Sequence, residues 1–149
     1  MKNKIFVGEF IGSALLVMAI VGSGIMAESL TNDTAVMLLA NAVATGAALY
    51  FLIVSISDIS GAHFNPFVTL AMYLSKKIKS QLLPVYFTAQ ILGCLTGVML
   101  ANFFFDYSLI ELSSKSRSGI NVFVSEIIAT FGLIFIIFRT IKGGKVLVA

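Results

Sequence analysis

Apolar residues fill four stretches of this chain almost without interruption, at about residues 5–27, 35–57, 82–105 and 119–141. Each is longer than the roughly 18 residues a spanning helix needs, and at about 1.5 Å per residue each crosses a hydrocarbon layer of about 30 Å. The pattern predicts four transmembrane helices. Lys2 and Lys4 ahead of the first stretch imitate a secretory signal. The stretch is too long for one and carries Glu9 and several glycines, so it is read as a retained span.

Between the second and third spans lie residues 57–80, SDISGAHFNPFVTLAMYLSKKIKS, too apolar for a solvated loop and too short to cross and return as two helices. Asn65 suits an N-cap, Pro66 suits the first helical position, and Phe67 to Ser75 contains no breaker. A helix of about ten residues from Pro66 spans about 15 Å, half the hydrocarbon thickness. The lysines at 76, 77 and 79 hold its far end at the membrane surface. Residues 60–64 before it are then non-helical backbone at membrane depth, which survives only against protein or a wet cavity. The carbonyls of Gly61, Ala62 and His63 become a ladder of acceptors, and the Asn65 amide and the helix amino end face the same path. Such an arrangement favours neutral solutes over cations. The competing reading is an amphipathic helix lying flat on the inner leaflet.

Composition narrows the classes. Hydrophobic residues make up 58% of the 149 and charged residues only 11%, which excludes an ordinary soluble domain. The net charge of +3 resides in lysines and arginines that flank spans, with no basic stripe for nucleic acid. Lys2, Lys4, Lys76, Lys77, Lys79, Arg139, Lys142 and Lys145 fall on one side, and Lys115 and Arg117 on the other. That asymmetry predicts both termini in the cytoplasm. One histidine, His63, and one cysteine, Cys94, support no metal site, and no cofactor is expected. No catalytic residues are expected either: Ser13, Ser55, Ser57 and Ser60 lack a Gly-x-Ser-x-Gly setting, and Asp58 has no second aspartate at its depth.

An internal repeat is visible. Residues 6–13 laid over residues 123–130, an offset of 117, give four identities, including Glu9 over Glu126. Three spans separate the two starts, so the copies have opposite orientation, as in inverted-repeat transport proteins. The first repeat covers about residues 1–118 and the start of a truncated second about 119–149, within a single membrane domain; Val146 to Ala149 read as the start of a fifth span. Intramembrane carboxylates need partners, and backbone N–H groups of non-helical pore segments suit Glu9 and Glu126; proton relay is the competing reading. Gly8-xxx-Gly12 and Gly93-xxx-Gly97 permit close helix crossings.

SGAHFNPFVTLA at residues 60–71 closely resembles the first signature, usually SGAHxNPAVTxA, of the aquaporin and glycerol-facilitator family of major intrinsic proteins. The resemblance extends through GEFIGSALLV in span one, Ala89-Gln90-x-x-Gly93 in span three and SEIIATF in span four. It implies an all-α membrane fold of four transmembrane helices plus one re-entrant half-helix, an incomplete form of an aquaporin-like inverted repeat. The family has six spans and two signatures; the second is expected about 117 positions beyond Asn65. The resemblance implies a single-file pore with Asn65 and Pro66 at its middle and the carbonyls of Gly61, Ala62 and His63 along it. It implies that Glu9 and Glu126, with Gln90, anchor the pore loops, and that Thr45 stands at the span-two position of the outer selectivity filter. Thr45 is small and polar where water-selective members are bulky. Phe67 replaces the motif alanine, and Asp58 replaces a common histidine.

The expected function is therefore the amino-terminal part of a passive channel for water or small neutral solutes. Residues 21–30, VGSGIMAESL, resemble a bacterial subgroup that passes such solutes, glycerol or metalloid acids such as arsenite among them. Half a pore is not expected to conduct alone. The alternatives are a non-conducting remnant, or a subunit that joins full-length relatives through its Gly-xxx-Gly faces, and then a coupled secondary transporter using Glu9 or Glu126. The expected partners are the lipid bilayer, the solute and, by resemblance, further copies in a homotetramer; the expected location is a bacterial inner membrane.

Overall fold

A computed structural model describes residues 1–111 and 118–142. Its regular structure is helical throughout the described residues: α1 (Lys2–Leu30), α2 (Thr34–Ser60), α3 (Pro66–Leu74), α4 (Leu83–Phe104) and α5 (Ile120–Lys142), with a 3₁₀ turn, Ser80–Leu82, leading into α4. Four helices among the described residues are long and apolar enough to cross a membrane, and α3 is the short one between them. The chain divides into two compact units, Met1–Ile110, which holds α1 to α4, and Glu111–Val148, which holds α5. Lys115, Arg117 and Lys145 of the orientation argument lie outside the described residues, as do Val146 to Ala149, read above as a fifth span.

Within the first unit α1 is the central helix, packed on α4 along one side and on α2 along another. Lipid tails provide no hydrophobic drive between helices, so close approach at small residues and polar bonds have to hold them. The α1–α4 seam supplies the first. A Cβ on Gly93 would lie 2.5 Å from the Phe10 carbonyl oxygen, and one on Gly97 would overlap that of Ala14. The register rises together along both helices, so α4 runs parallel to α1. On the other side Gly8 meets Ser60 and Ile56 near one end, while Asn41 Nδ2 donates to the Ile20 carbonyl at 2.8 Å and to Ser23 Oγ at 2.9 Å nearer the other. That register makes α2 antiparallel to α1. Both Gly-xxx-Gly pairs are therefore buried inside one chain. This corrects the partner-subunit alternative in one respect: neither glycine face is open to a second protein.

Two boundaries differ from the sequence reading. Ser60, expected in the non-helical stretch, is the last residue of α2. Gly61 stops the helix by turning left-handed, φ 93°, with its N–H on the Ser57 carbonyl at 3.0 Å, a geometry open to glycine at little steric cost. The half-helix ends at Leu74, with Ser75 as its cap. Lys76 at φ 57° and the Lys77 N–H on the Met72 carbonyl at 2.9 Å close that end. Nine residues give about 13.5 Å, still less than half of a bilayer's hydrocarbon. Phe103 and Phe104, at the end of α4, are exposed, as an interfacial aromatic belt requires.

Candidate functional site

The segment from Gly61 to Asn65 joins α2 to α3 without helical structure, and its backbone is unusual. Ala62 and Phe64 have φ of 50° and 48° in addition to Gly61, so three of four consecutive residues lie in the left-handed region. For residues with a side chain that conformation is unfavourable and persists only where the surroundings fix it.

Glu9 fixes it. The carboxylate projects from the second turn of α1 and is fully buried. Its Oε1 accepts the His63 N–H at 3.0 Å and the Ser60 hydroxyl at 2.7 Å; its Oε2 accepts the Phe64 N–H at 2.8 Å and Gln90 Nε2 at 2.8 Å. Two consecutive backbone amides that no helix serves thus end on one side chain. Ser60 closes the turn from the α2 side, its Oγ also accepting the Ala62 N–H at 3.1 Å.

Gln90, from α4, spends its second amide hydrogen on Thr69 Oγ1 at 2.9 Å, which ties α4 to α3. Thr69 donates in turn to the Asn65 carbonyl at 3.1 Å, so its one hydroxyl hydrogen is used and His63 Nδ1, 3.0 Å away, is the donor to it. The His63 ring is stacked on Tyr86 of α4, centroids 4.5 Å apart and planes 16° apart, and the Tyr86 hydroxyl donates to the Ser60 carbonyl. Side chains of α1, α2, α3 and α4 thus converge on five residues of loop.

Other groups of the loop take no part in this network. Among the described residues no hydrogen bond reaches the carbonyls of Gly61, Ala62, His63 or Phe64. Asn65 caps α3, its Oδ1 accepting the Phe67 N–H at 2.8 Å, which leaves Nδ2 as an outward donor beside the amino end of the helix. Pro66 occupies the first turn, where no N–H is needed. Phe67 is 62% exposed at that same end. The arrangement is chemically a short run of acceptors followed by a donor, held by a buried polar network.

Thr45 is not among these residues. It lies about 22 Å along α2 from Ser60, on the helix stripe that also carries Asn41 and Ile56, both of which touch α1. Its Oγ1 is buried and has no hydrogen-bond partner among the described residues. Gly46 beside it faces open space. Glu126 is in the second turn of α5, in the other unit. Sequence reasoning passed over Thr69 and Tyr86. Thr69 has two signals, its place in the SGAHFNPFVTLA signature and its spacing one turn after Asn65, whereas Tyr86 has only its spacing, one turn before Gln90, which puts it on the face of a residue already singled out.

Residues 2–148 match the family described as Major intrinsic protein. The chain is 43% identical over 136 residues to the aquaglyceroporin AqpS of Rhizobium meliloti (strain 1021), covering 91% of this chain and 58% of that protein. It is 34% identical over 148 residues to the probable aquaporin TIP2-2 of Oryza sativa subsp. japonica, covering 95% and 58%. Against aquaporin NIP3-1 of Arabidopsis thaliana it is 34% identical over 140 residues, covering 88% and 43%. The chain thus spans somewhat over half the length of the first two relatives and less of the third.

Proposed function

This chain belongs to the major intrinsic protein family, and from that membership we propose that it forms the amino-terminal part of a passive membrane channel for water or small neutral solutes. The observation that carries the reading is the segment 61–64, whose carbonyls accept no hydrogen bond among the described residues while its amides are clamped by Glu9. Carbonyls at such depth need donors, and a file of water, glycerol or another small hydroxylated solute supplies them. Asn65 Nδ2 and the amino end of α3 follow as donors, which repel cations and leave neutral molecules unopposed.

In this reading Gly61, Ala62 and His63 line the path, Asn65, Pro66 and Phe67 mark its middle, and Glu9 and Gln90 anchor the loop. Glu126 has the matching duty toward a second loop, and Thr45 borders the outer constriction. Glycerol is favoured among solutes because a relative at 43% identity is named an aquaglyceroporin; arsenite-like metalloid acids are the next class. Residues 1–149 act as one membrane domain whose repeat boundary, at about 118, falls near the division between the two units. The chain assembles as a tetramer in a bacterial inner membrane, both termini in the cytoplasm.

A second reading is favoured by coverage of only 58% of the aquaglyceroporin relative. In it the chain is a non-conducting remnant or a silent partner subunit of full-length channels. Stopped-flow light scattering on proteoliposomes separates the two. Residues 1–149 alone should leave glycerol and water permeability at the level of empty vesicles, and the chain joined to a carboxyl-terminal half should raise at least one. Solute uptake that saturates and follows a pH gradient would instead mark a coupled transporter.

A further inference from the structure

The last four carbonyls of an α-helix have no intrahelical donor, and at membrane depth each must find one or face water. Two of those at the end of α2 are taken up inside the protein, Ser57 by the Gly61 N–H and Ser60 by the Tyr86 hydroxyl. The next three carbonyls along the chain, those of Gly61, Ala62 and His63, take none among the described residues. The Ser60 carbonyl is therefore the last before the loop that is occupied, and the peptide group Ser60–Gly61 is where the loop's free acceptors adjoin it.

That peptide is the softest in the loop. Gly61 moves between left-handed and other conformations at little steric cost, whereas the peptides after it are tied through the His63 and Phe64 amides to Glu9. Ser60 Oγ is held by Glu9 and by the Ala62 N–H, but neither bond sets the direction of the Ser60 carbonyl. Tyr86 does. It is 3% exposed, its hydroxyl ends on that carbonyl, and its ring lies flat against the His63 ring, whose Nδ1 is held by Thr69. A phenylalanine would fill the same volume, so packing alone gives no reason for the hydroxyl.

We propose that Tyr86 is a positioning residue of the solute path: it withdraws the Ser60 carbonyl from the path and fixes the plane of His63, so that Ser60 does not join the free acceptors of the loop, which start at Gly61. The proposal rests on the channel reading above, and it makes Tyr86 a determinant of how strongly hydroxylated solutes are held relative to water. With phenylalanine at this position the Ser60 carbonyl becomes a further free acceptor, and the Ser60–Gly61 peptide gains freedom to turn.

The test has a structural and a functional arm. In the 149-residue chain, isotope-edited infrared spectroscopy of a carbon-13, oxygen-18 label at the Ser60 carbonyl should show its band moving to higher frequency in Tyr86→Phe. Amide exchange at Ala62 should quicken by about fivefold, the factor one modest hydrogen bond commands, with the middles of α1 and α4 unchanged. A stationary band, or equal acceleration throughout α4, would overturn the proposal. Should Tyr86→Phe not fold, 3-fluorotyrosine at position 86 keeps ring and hydroxyl and should still shift the Ser60 band; no shift counts against the proposal equally. In proteoliposomes of the chain joined to a carboxyl-terminal half, Tyr86→Phe should change the glycerol-to-water permeability ratio by about fivefold at equal protein content. A conducting parent with an unchanged ratio refutes the positioning role. A parent that passes neither solute refutes the channel reading, and the infrared result then decides the Tyr86–Ser60 contact independently.

Discussion

The ring of Phe64 occupies the space that a side chain on Gly12 would need: a Cβ built there overlaps the ring edge at Cε1, Cζ and Cδ1. The loop residue thus inserts into α1 one turn beyond Glu9, which holds the Phe64 amide. Backbone clamp and side-chain socket lie on the same helix face.

Gly12→Ala should therefore destabilise the first unit by about 2 kcal/mol, the range for overpacking a filled site. Unfolding in mixed micelles would measure it. Phe64→Leu in the same chain should recover part of the loss, giving a coupling energy above about 0.5 kcal/mol; strictly additive effects would show that the two positions do not meet.

Glu9→Gln replaces one acceptor oxygen with an NH₂ group in a pocket where four donors converge. The two donors that met that oxygen are left facing the NH₂ group, at a penalty of about 3 kcal/mol or more. Amide exchange at His63 and Phe64 should accelerate well ahead of that in the middle of α4. Equal protection in both forms would remove Glu9 as the anchor of the loop.

The glycines of this chain should differ in sign. Gly97→Ala places a methyl group against the Ala14 carbonyl, a backbone atom that cannot swing aside, and should separate α1 from α4 at a loss of about 2 kcal/mol or more. Gly46→Ala meets nothing within 4 Å and should stabilise α2 by about 0.5–1 kcal/mol through helix propensity. Denaturation midpoints of the two variants should move in opposite directions.

Asn65→Asp retains the oxygen that caps the Phe67 N–H, so unfolding should shift by less than about 0.5 kcal/mol. It also replaces an outward donor with a negative charge at the positive end of α3. In the chain joined to a carboxyl-terminal half, neutral-solute permeability should fall by about tenfold and a cation leak should appear in vesicle potential assays. Unaltered flux would mean that Asn65 does not face the path.

Much of this was legible from the chain. Asn65 and Pro66 announce the half-helix because capping is local chemistry, readable from two adjacent residues. The four spans follow from length and apolarity. The end of α2 was not legible, because Ser60 is held helical by contacts 26 and 51 positions away, from Tyr86 and Glu9. Gly93 and Gly97 advertise a close approach but carry no record of which helix makes it. Tyr86 is an ordinary residue of an apolar helix until the His63 ring is placed against it, and Thr69, although part of the signature, shows its partners only then.

Gln90 follows Glu9 by 81 positions along the chain. At about 5–20 residues per second the ribosome needs about 4–16 s to deliver that last donor. For that interval the nascent first helix carries a carboxylate without its full set of mates, too costly to leave in bare lipid. Only two turns from the start of α1, the group can dwell near the aqueous boundary beside the insertion machinery. The first helix is then seated fully only after the third long one emerges, and biogenesis proceeds as a joint docking of the group instead of helix by helix.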